Sequence, residues 1–149
     1  AKDYVEMQWM MLQQEIPKDY VISTGRTETV RRFVELSAIK LGWNNNSKGE
    51  GIIWEGKGVN EVGRRSDNGS IVIRIDSRYF RPTEVHHLLG DSSKANIELG
   101  WKPKVSLEEL ITNMINHDSK EAQKELILKN QGFSLPNPLE TLPNIFTKE

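Results

Sequence analysis

Arg81 stands directly before Pro82, and Glu84 follows one residue beyond Thr83, so a planar anion donor and a carboxylate acceptor lie within a few residues of each other. An arginine so placed can grip a diphosphate through paired N–H bonds while a carboxylate takes the hydroxyls of a ribose. Pro82 biases Arg81 toward extended backbone, so the pair is expected on an exposed turn entering a helix. Arginine and glutamate on a loop are also commonplace, and an ordinary solvated turn is the competing reading. Other chemistries fit the residues less well. Gly49-Glu50-Gly51 and Gly56-Lys57-Gly58 each begin a dinucleotide fingerprint, but Trp54 and Glu61 occupy the position of the third glycine. Gly51 to Lys57 matches most of a phosphate loop, yet Gly58 replaces the Ser or Thr that would hold magnesium, and these glycines are read as turn residues. The adjacent His86 and His87 would point to different sides of a helix, unlike the i, i+4 pair of a zinc site, which favours a surface or packing role over metal ligation. Glu108 and Glu109 belong to a helix start, and Arg31-Arg32 and Arg64-Arg65 read as a solvated face and a solvated loop.

Length and composition narrow the classes further. The chain of 149 residues has room for one domain with a core, but is short for an enzyme with separate cofactor and substrate domains. With 20 Lys and Arg against 21 Asp and Glu, it carries no net field that would draw in nucleic acid or an anionic membrane. It has no cysteine, which excludes disulfides, thiolate nucleophiles and cysteine-based metal sites. No apolar run is long enough to span a bilayer and no signal pattern opens the sequence, so a cytoplasmic protein is expected. Asn45-Asn46-Ser47 and Asn68-Gly69-Ser70 fit the glycosylation triplet and are read as polar turns. The first residue, Ala1, falls just ahead of a helix-start signal, which suggests a piece of a longer chain.

The elements that must position these residues follow from caps and periodicity. Asp3 and Glu6 have capping-box spacing and predict a helix from about Tyr4 to Glu15, and Tyr20 to Ser23 predicts a short strand. Val30, Phe33, Val34, Ala38 and Leu41 predict a second helix, capped by Thr27 or Thr29 and stopped by Gly42. Ile52 to Trp54 and Ser70 to Ile75 predict two strands around a connection rich in Gly, Arg and Asn. Asp91 can cap a short helix that Gly100 ends, and Ser106 with Glu109 opens a helix that continues, bent or broken, to about Lys129. From Gly132 three prolines and the lack of periodicity predict an extended or disordered tail. Trp9, Trp43, Trp54 and Trp101 are expected to be core or interface anchors.

Ala1-Lys2-Asp3-Tyr4-Val5-Glu6-Met7-Gln8-Trp9-Met10-Met11-Leu12, Val21 to Val30 with its Thr-Gly and Thr-Val, Arg78-Tyr79-Phe80-Arg81-Pro82-Thr83-Glu84-Val85, Leu89 to Ala95 and Leu99-Gly100-Trp101-Lys102-Pro103 together resemble, in order, the C-terminal part of the GDP-mannose 4,6-dehydratase family. The resemblance reaches to about His117, and the strands between Ile52 and Ile75 look like the longer insertion of its bacterial type. It implies an α/β fold of mixed helices and short strands. This would be the C-terminal substrate-binding portion of an extended short-chain dehydrogenase/reductase whose Rossmann core is missing. Residues 1–131 would form the sugar-nucleotide-binding region and 132–149 the Pro-rich tail.

The implied activity is that of an NADP-dependent lyase converting GDP-mannose to GDP-4-keto-6-deoxy-mannose. Oxidation at C4 passes a hydride to the cofactor, water leaves across C5 and C6, and the hydride returns to C6. By the same resemblance Arg81 holds the diphosphate and Glu84 the ribose, and Asp3 is a helix cap and no catalyst. NADP and the catalytic groups would belong to an N-terminal Rossmann domain, the partner of this region in a homo-oligomeric parent. The family's Tyr-x-x-x-Lys pair is absent here, since Gln8, Thr24 and Thr83 stand four residues after Tyr4, Tyr20 and Tyr79. The chain alone is therefore expected to be inactive. If it is an excised half, helix faces bearing Met7, Trp9 or Met11 would be exposed. A stand-alone nucleotide-binding or interaction module, or a fragment of a related sugar-nucleotide epimerase or dehydratase, are the alternatives.

Overall fold

A computed structural model describes residues 1–45, 48–81, 83 and 88–135. Four α-helices and one small antiparallel sheet are present: α1 (Lys2–Leu12), α2 (Val30–Lys40), β1 (Ile52–Glu55), β2 (Val62–Arg65), β3 (Ile71–Arg74), α3 (Ser93–Leu99) and α4 (Leu107–Asn130). The helices whose end signals are local to the sequence form as expected. The Thr29 hydroxyl accepts from the Arg32 N–H and opens α2, and Gly42 follows its end in the left-handed region at φ 78°. Ser106 accepts from the Glu109 N–H and opens α4, which continues unbroken for 24 residues. Ser92, beside Asp91, occupies the cap position of α3, and Asp91 Oδ1 accepts from the Ser93 N–H instead.

Three expectations are corrected. Asp3 does not cap α1; Ala1 holds that position, and α1 starts two residues and stops three residues earlier than expected. The carboxylate lies buried inside the first turn, where Asp3 Oδ2 accepts from the N–H groups of Lys104 and Val105, so its partners are a distant loop and not its own helix. Tyr20 to Ser23 is β-branched but forms no strand among the described residues; Tyr20 and Ile22 instead pack on a core formed by Met7, Ala95 and Trp101. The connection between the two expected strands contains β2, and Arg64 and Arg65 are strand residues.

The sheet order is β1-β2-β3, with Trp54 opposite Gly63 and Ile52 opposite Arg65. Both β2 arginines have partners that remove them from a solvated loop. Arg65 lies 4.4 Å from the centre of the Trp43 ring and pairs with Asp67 at 2.6 Å, and Arg64 pairs with Glu55 at 2.8 Å. Gly63 sits in a tight space, since a Cβ there would stand 3.1–3.2 Å from side-chain atoms of Trp54, Ile52 and Ile73. α2 packs against β1 and against α4, burying Ala38, Ile52 and Ile111.

A second cluster joins the beginning of the chain to its later part. The indole N–H of Trp101 donates to the Asp3 carbonyl at 3.0 Å, and Met7 is fully buried beside Ala95 and Trp101. Of the four tryptophans, Trp101 is the core anchor, Trp43 and Trp54 are half-buried beneath arginines, and Trp9 is exposed. Among the described residues no helix is long and apolar enough to cross a membrane. His86, His87 and the three tail prolines, Pro136, Pro138 and Pro143, lie outside the described residues.

Candidate functional site

Arg81 follows β3 by way of a tight turn. The Tyr79 N–H donates to the Asp76 carbonyl at 3.1 Å, and the Asp76 carboxylate accepts both the backbone N–H of Arg78 and its guanidinium, at 2.9 and 2.7 Å. These bonds hold the Asp76 carboxyl below the ordinary carboxylate value, the Arg78 side chain contributing most. Arg81 itself is exposed, and its guanidinium makes no hydrogen bond or ion pair with a described residue. Glu84, the second residue expected at this site, lies outside the described residues.

Further along, Leu88 to Gly90 lies against the segment between Tyr20 and α2. The Ser23 hydroxyl donates to the Gly90 carbonyl at 2.7 Å, and the Thr27 hydroxyl donates to the Leu88 carbonyl at 2.6 Å. Thr24 and Gly25 turn the chain between these two hydroxyls, with Gly25 at φ 68° and the Thr24 hydroxyl accepting from the Arg26 N–H. Thr27 was one of two candidate caps for α2, and its hydroxyl serves this contact instead. On the other side of the same turn, a cleft of about 430 Å³ is lined by Thr24, Arg26 and Glu28 and by Pro103 to Leu107. Arg26 pairs with Glu28 at 2.7 Å and Lys104 with Glu6 at 2.6 Å, so the cations nearest this cleft are matched by carboxylates.

The segment through Gly56 and Gly58 does not have the geometry of a dinucleotide-binding loop. Such a site needs a strand that turns through glycines into an α-helix, so that backbone N–H groups face the pyrophosphate. Here β1 leads through Gly56 and Gly58, both at positive φ, into a single 3-10 turn and then an antiparallel strand. These are turn glycines, as the spacing suggested.

With this geometry in place, the comparisons with known proteins are direct. The family described as GDP-mannose 4,6 dehydratase matches residues 1–114. A GDP-mannose 4,6-dehydratase of Yersinia enterocolitica is 44% identical across 95% of this chain and 39% of its own length. One from Vibrio cholerae is 45% identical across 94% of this chain and 38% of its own length. The human GDP-mannose 4,6 dehydratase is 47% identical across 79% of this chain and 30% of its own length. The chain belongs to the GDP-mannose 4,6-dehydratase family of lyases and is a mixed α/β portion of it, spanning less than two-fifths of the length of these curated relatives. The segments on which the resemblance rested fall within the matched range.

Proposed function

We propose that this chain is the substrate-holding portion of a GDP-mannose 4,6-dehydratase, with residues 1–131 as the sugar-nucleotide-binding region and the stretch from 132 as a Pro-rich tail. Arg81 grips the diphosphate of GDP-mannose and Glu84 receives the ribose hydroxyls. The observation that carries this reading is an exposed arginine, engaged by no described residue, on the turn after β3 and within the range matched to the family. A guanidinium already bound to a carboxylate would have to break that pair to take a phosphate, and Arg26, Arg31, Arg64 and Arg65 are all so bound.

The overall reaction, GDP-mannose to GDP-4-keto-6-deoxy-mannose and water, belongs on this reading to the longer protein. NADP and the hydride-transfer residues would be supplied outside this chain, in a homo-oligomeric parent, in keeping with the absence of a Tyr-x-x-x-Lys pair within it. The chain on its own is expected to bind GDP and to show no turnover of GDP-mannose, with or without added NADP.

Isothermal titration tests the site. GDP should bind the unsubstituted chain more tightly than UDP, and Arg81→Ala should weaken GDP binding by about 1.5–3 kcal/mol, the range for a hydrogen bond to a charged group. Unchanged affinity in Arg81→Ala would refute the diphosphate assignment. A preference for UDP would favour a related sugar-nucleotide epimerase or dehydratase.

A further inference from the structure

We propose that Asn68 is a site of spontaneous deamidation, and that the turn joining β2 to β3 holds this reaction back through the N–H of Gly69. This chemistry does not involve Arg81 or its proposed role. Of the asparagines in the chain, only Asn68 is followed by glycine. With no side chain on the next residue, the backbone nitrogen there can approach the asparagine carboxamide, which makes this dipeptide the readiest to close into a ring. Asn68, Gly69 and Ser70 are all exposed, so water and solvent base reach the reacting groups.

The reaction needs no enzyme and no oxidant. The Gly69 nitrogen gives up its proton to solvent base and attacks the side-chain carbonyl carbon of Asn68. A new C–N bond closes a five-membered imide, the bond to the side-chain nitrogen breaks, and ammonia leaves with a proton from solvent. Water then opens the imide at one carbonyl or the other, leaving aspartate at position 68 or an isoaspartyl link in which the backbone runs through the side chain. The turn supplies part of this chemistry and withholds part. The Ser70 N–H donates to Asn68 Oδ1 at 3.0 Å, which turns the carboxamide toward the following peptide and draws electrons from the carbon to be attacked. The attacking nitrogen is engaged elsewhere: the Gly69 N–H donates to the Arg65 carbonyl at 2.9 Å, and the Arg65 N–H donates to the Ser70 carbonyl at 2.9 Å. The Arg64 guanidinium adds a bond to the Gly69 carbonyl at 3.1 Å. The first of these bonds must break before the Gly69 nitrogen can lose its proton, so conversion goes with local opening of the hairpin. The same glycine that permits the reaction is needed by the turn, at φ 75°. An isoaspartyl link, one backbone atom longer, does not fit between Arg65 and Ser70 as they are now bonded.

The test incubates the full chain in mildly alkaline buffer, with and without denaturing urea, and follows the tryptic peptide 66–74 by mass spectrometry with separation of the isoaspartyl form. Asn68 should convert in both, about tenfold or more slowly in the folded chain, the worth of one or two hydrogen bonds that must open first. Hydrogen exchange should give the same ratio, the protection of the Gly69 amide in the folded chain matching the slowing of deamidation. In urea, where the turn is gone, Gly69→Ala should slow conversion sharply, because a Cβ beside the nitrogen hinders ring closure. No conversion of Asn68 in urea, or equal conversion there in Gly69→Ala and the parent, would overturn the site. Equal rates in the folded and unfolded chains, or a Gly69 amide that exchanges without protection while deamidation stays slow, would overturn the restraint by the turn.

Discussion

The carboxylate of Asp3 is met by two consecutive backbone N–H groups, those of Lys104 and Val105, at 2.9 and 3.0 Å. Those bonds, Val105 contributing most, hold the Asp3 carboxyl below its ordinary value of 3.8 against the opposing pull of burial. A group whose folded value is depressed stabilises the fold in full above its unfolded value, and that contribution is lost as pH falls through the folded one. Acid unfolding of the chain should therefore draw in part on Asp3. Asp3→Ala leaves both N–H groups without their acceptor and should lower stability by about 1–3 kcal/mol in urea titrations near neutral pH. Asp3→Asn keeps an acceptor and should lose less, with a flatter stability profile below 3.8 than the parent. A parent and an Asp3→Asn chain with identical acid profiles would show that Asp3 plays no part in the acid limb. At this scale the sequence was readable by residue type but not by partner. Arg81 could be singled out because a guanidinium before a proline is recognisable in one dimension. Thr27 looked like a helix cap because its true acceptor, the Leu88 carbonyl, is 61 residues away.

The ends of α2 and α4, unlike those of α1, were legible for the complementary reason. Thr29 and Ser106 satisfy N–H groups three residues on, and Gly42 and Gly100 release the chain through left-handed backbone, so each signal lies within a turn of what it controls. Strands depend on a neighbour that local sequence does not name. Val62 to Arg65 is half charged and was assigned to a loop, yet it is the central strand, because Trp43 and Asp67 take one arginine and Glu55 the other. Tyr20 to Ser23 has the better strand composition and no strand partner among the described residues. The junction of sheet and helix also makes a sharp demand on one position. A Cβ on Gly51, just ahead of β1, would stand 2.6 Å from the Ala38 Cβ and 2.8 Å from the backbone of α2. Gly51→Ala must push β1 and α2 apart, and thermal or urea unfolding should register a loss of about 1–3 kcal/mol. A chain that accepts this methyl without loss would mean that the helix and the sheet are not held at this spacing.

At the scale of the whole molecule, the described residues leave one face of α1 without cover. Val5, Trp9 and Leu12 recur at i, i+4 and i+7 and are 60%, 62% and 81% exposed, while Met7 on the opposite side is fully buried. Of the three residues expected on an exposed face, Trp9 is there, Met7 is in the core and Met11 packs partly against it. An apolar stripe of this kind favours association, so sedimentation velocity should detect self-associated species at micromolar concentration. Leu12→Glu should return the chain to monomer with unchanged helix content. A clean monomer from the unsubstituted chain would argue against this stripe being a contact surface. The opposite face of α1 has a consequence in time. Met7 and the Asp3 carbonyl are covered by Ala95 and Trp101, whose codons are read roughly ninety positions later. At about 5–20 residues per second a ribosome needs on the order of 5–20 s to deliver them. Throughout that interval Met7 lacks the residues that bury it, so a nascent chain offers this face of α1 to chaperones well before the segment that shields it has left the exit tunnel.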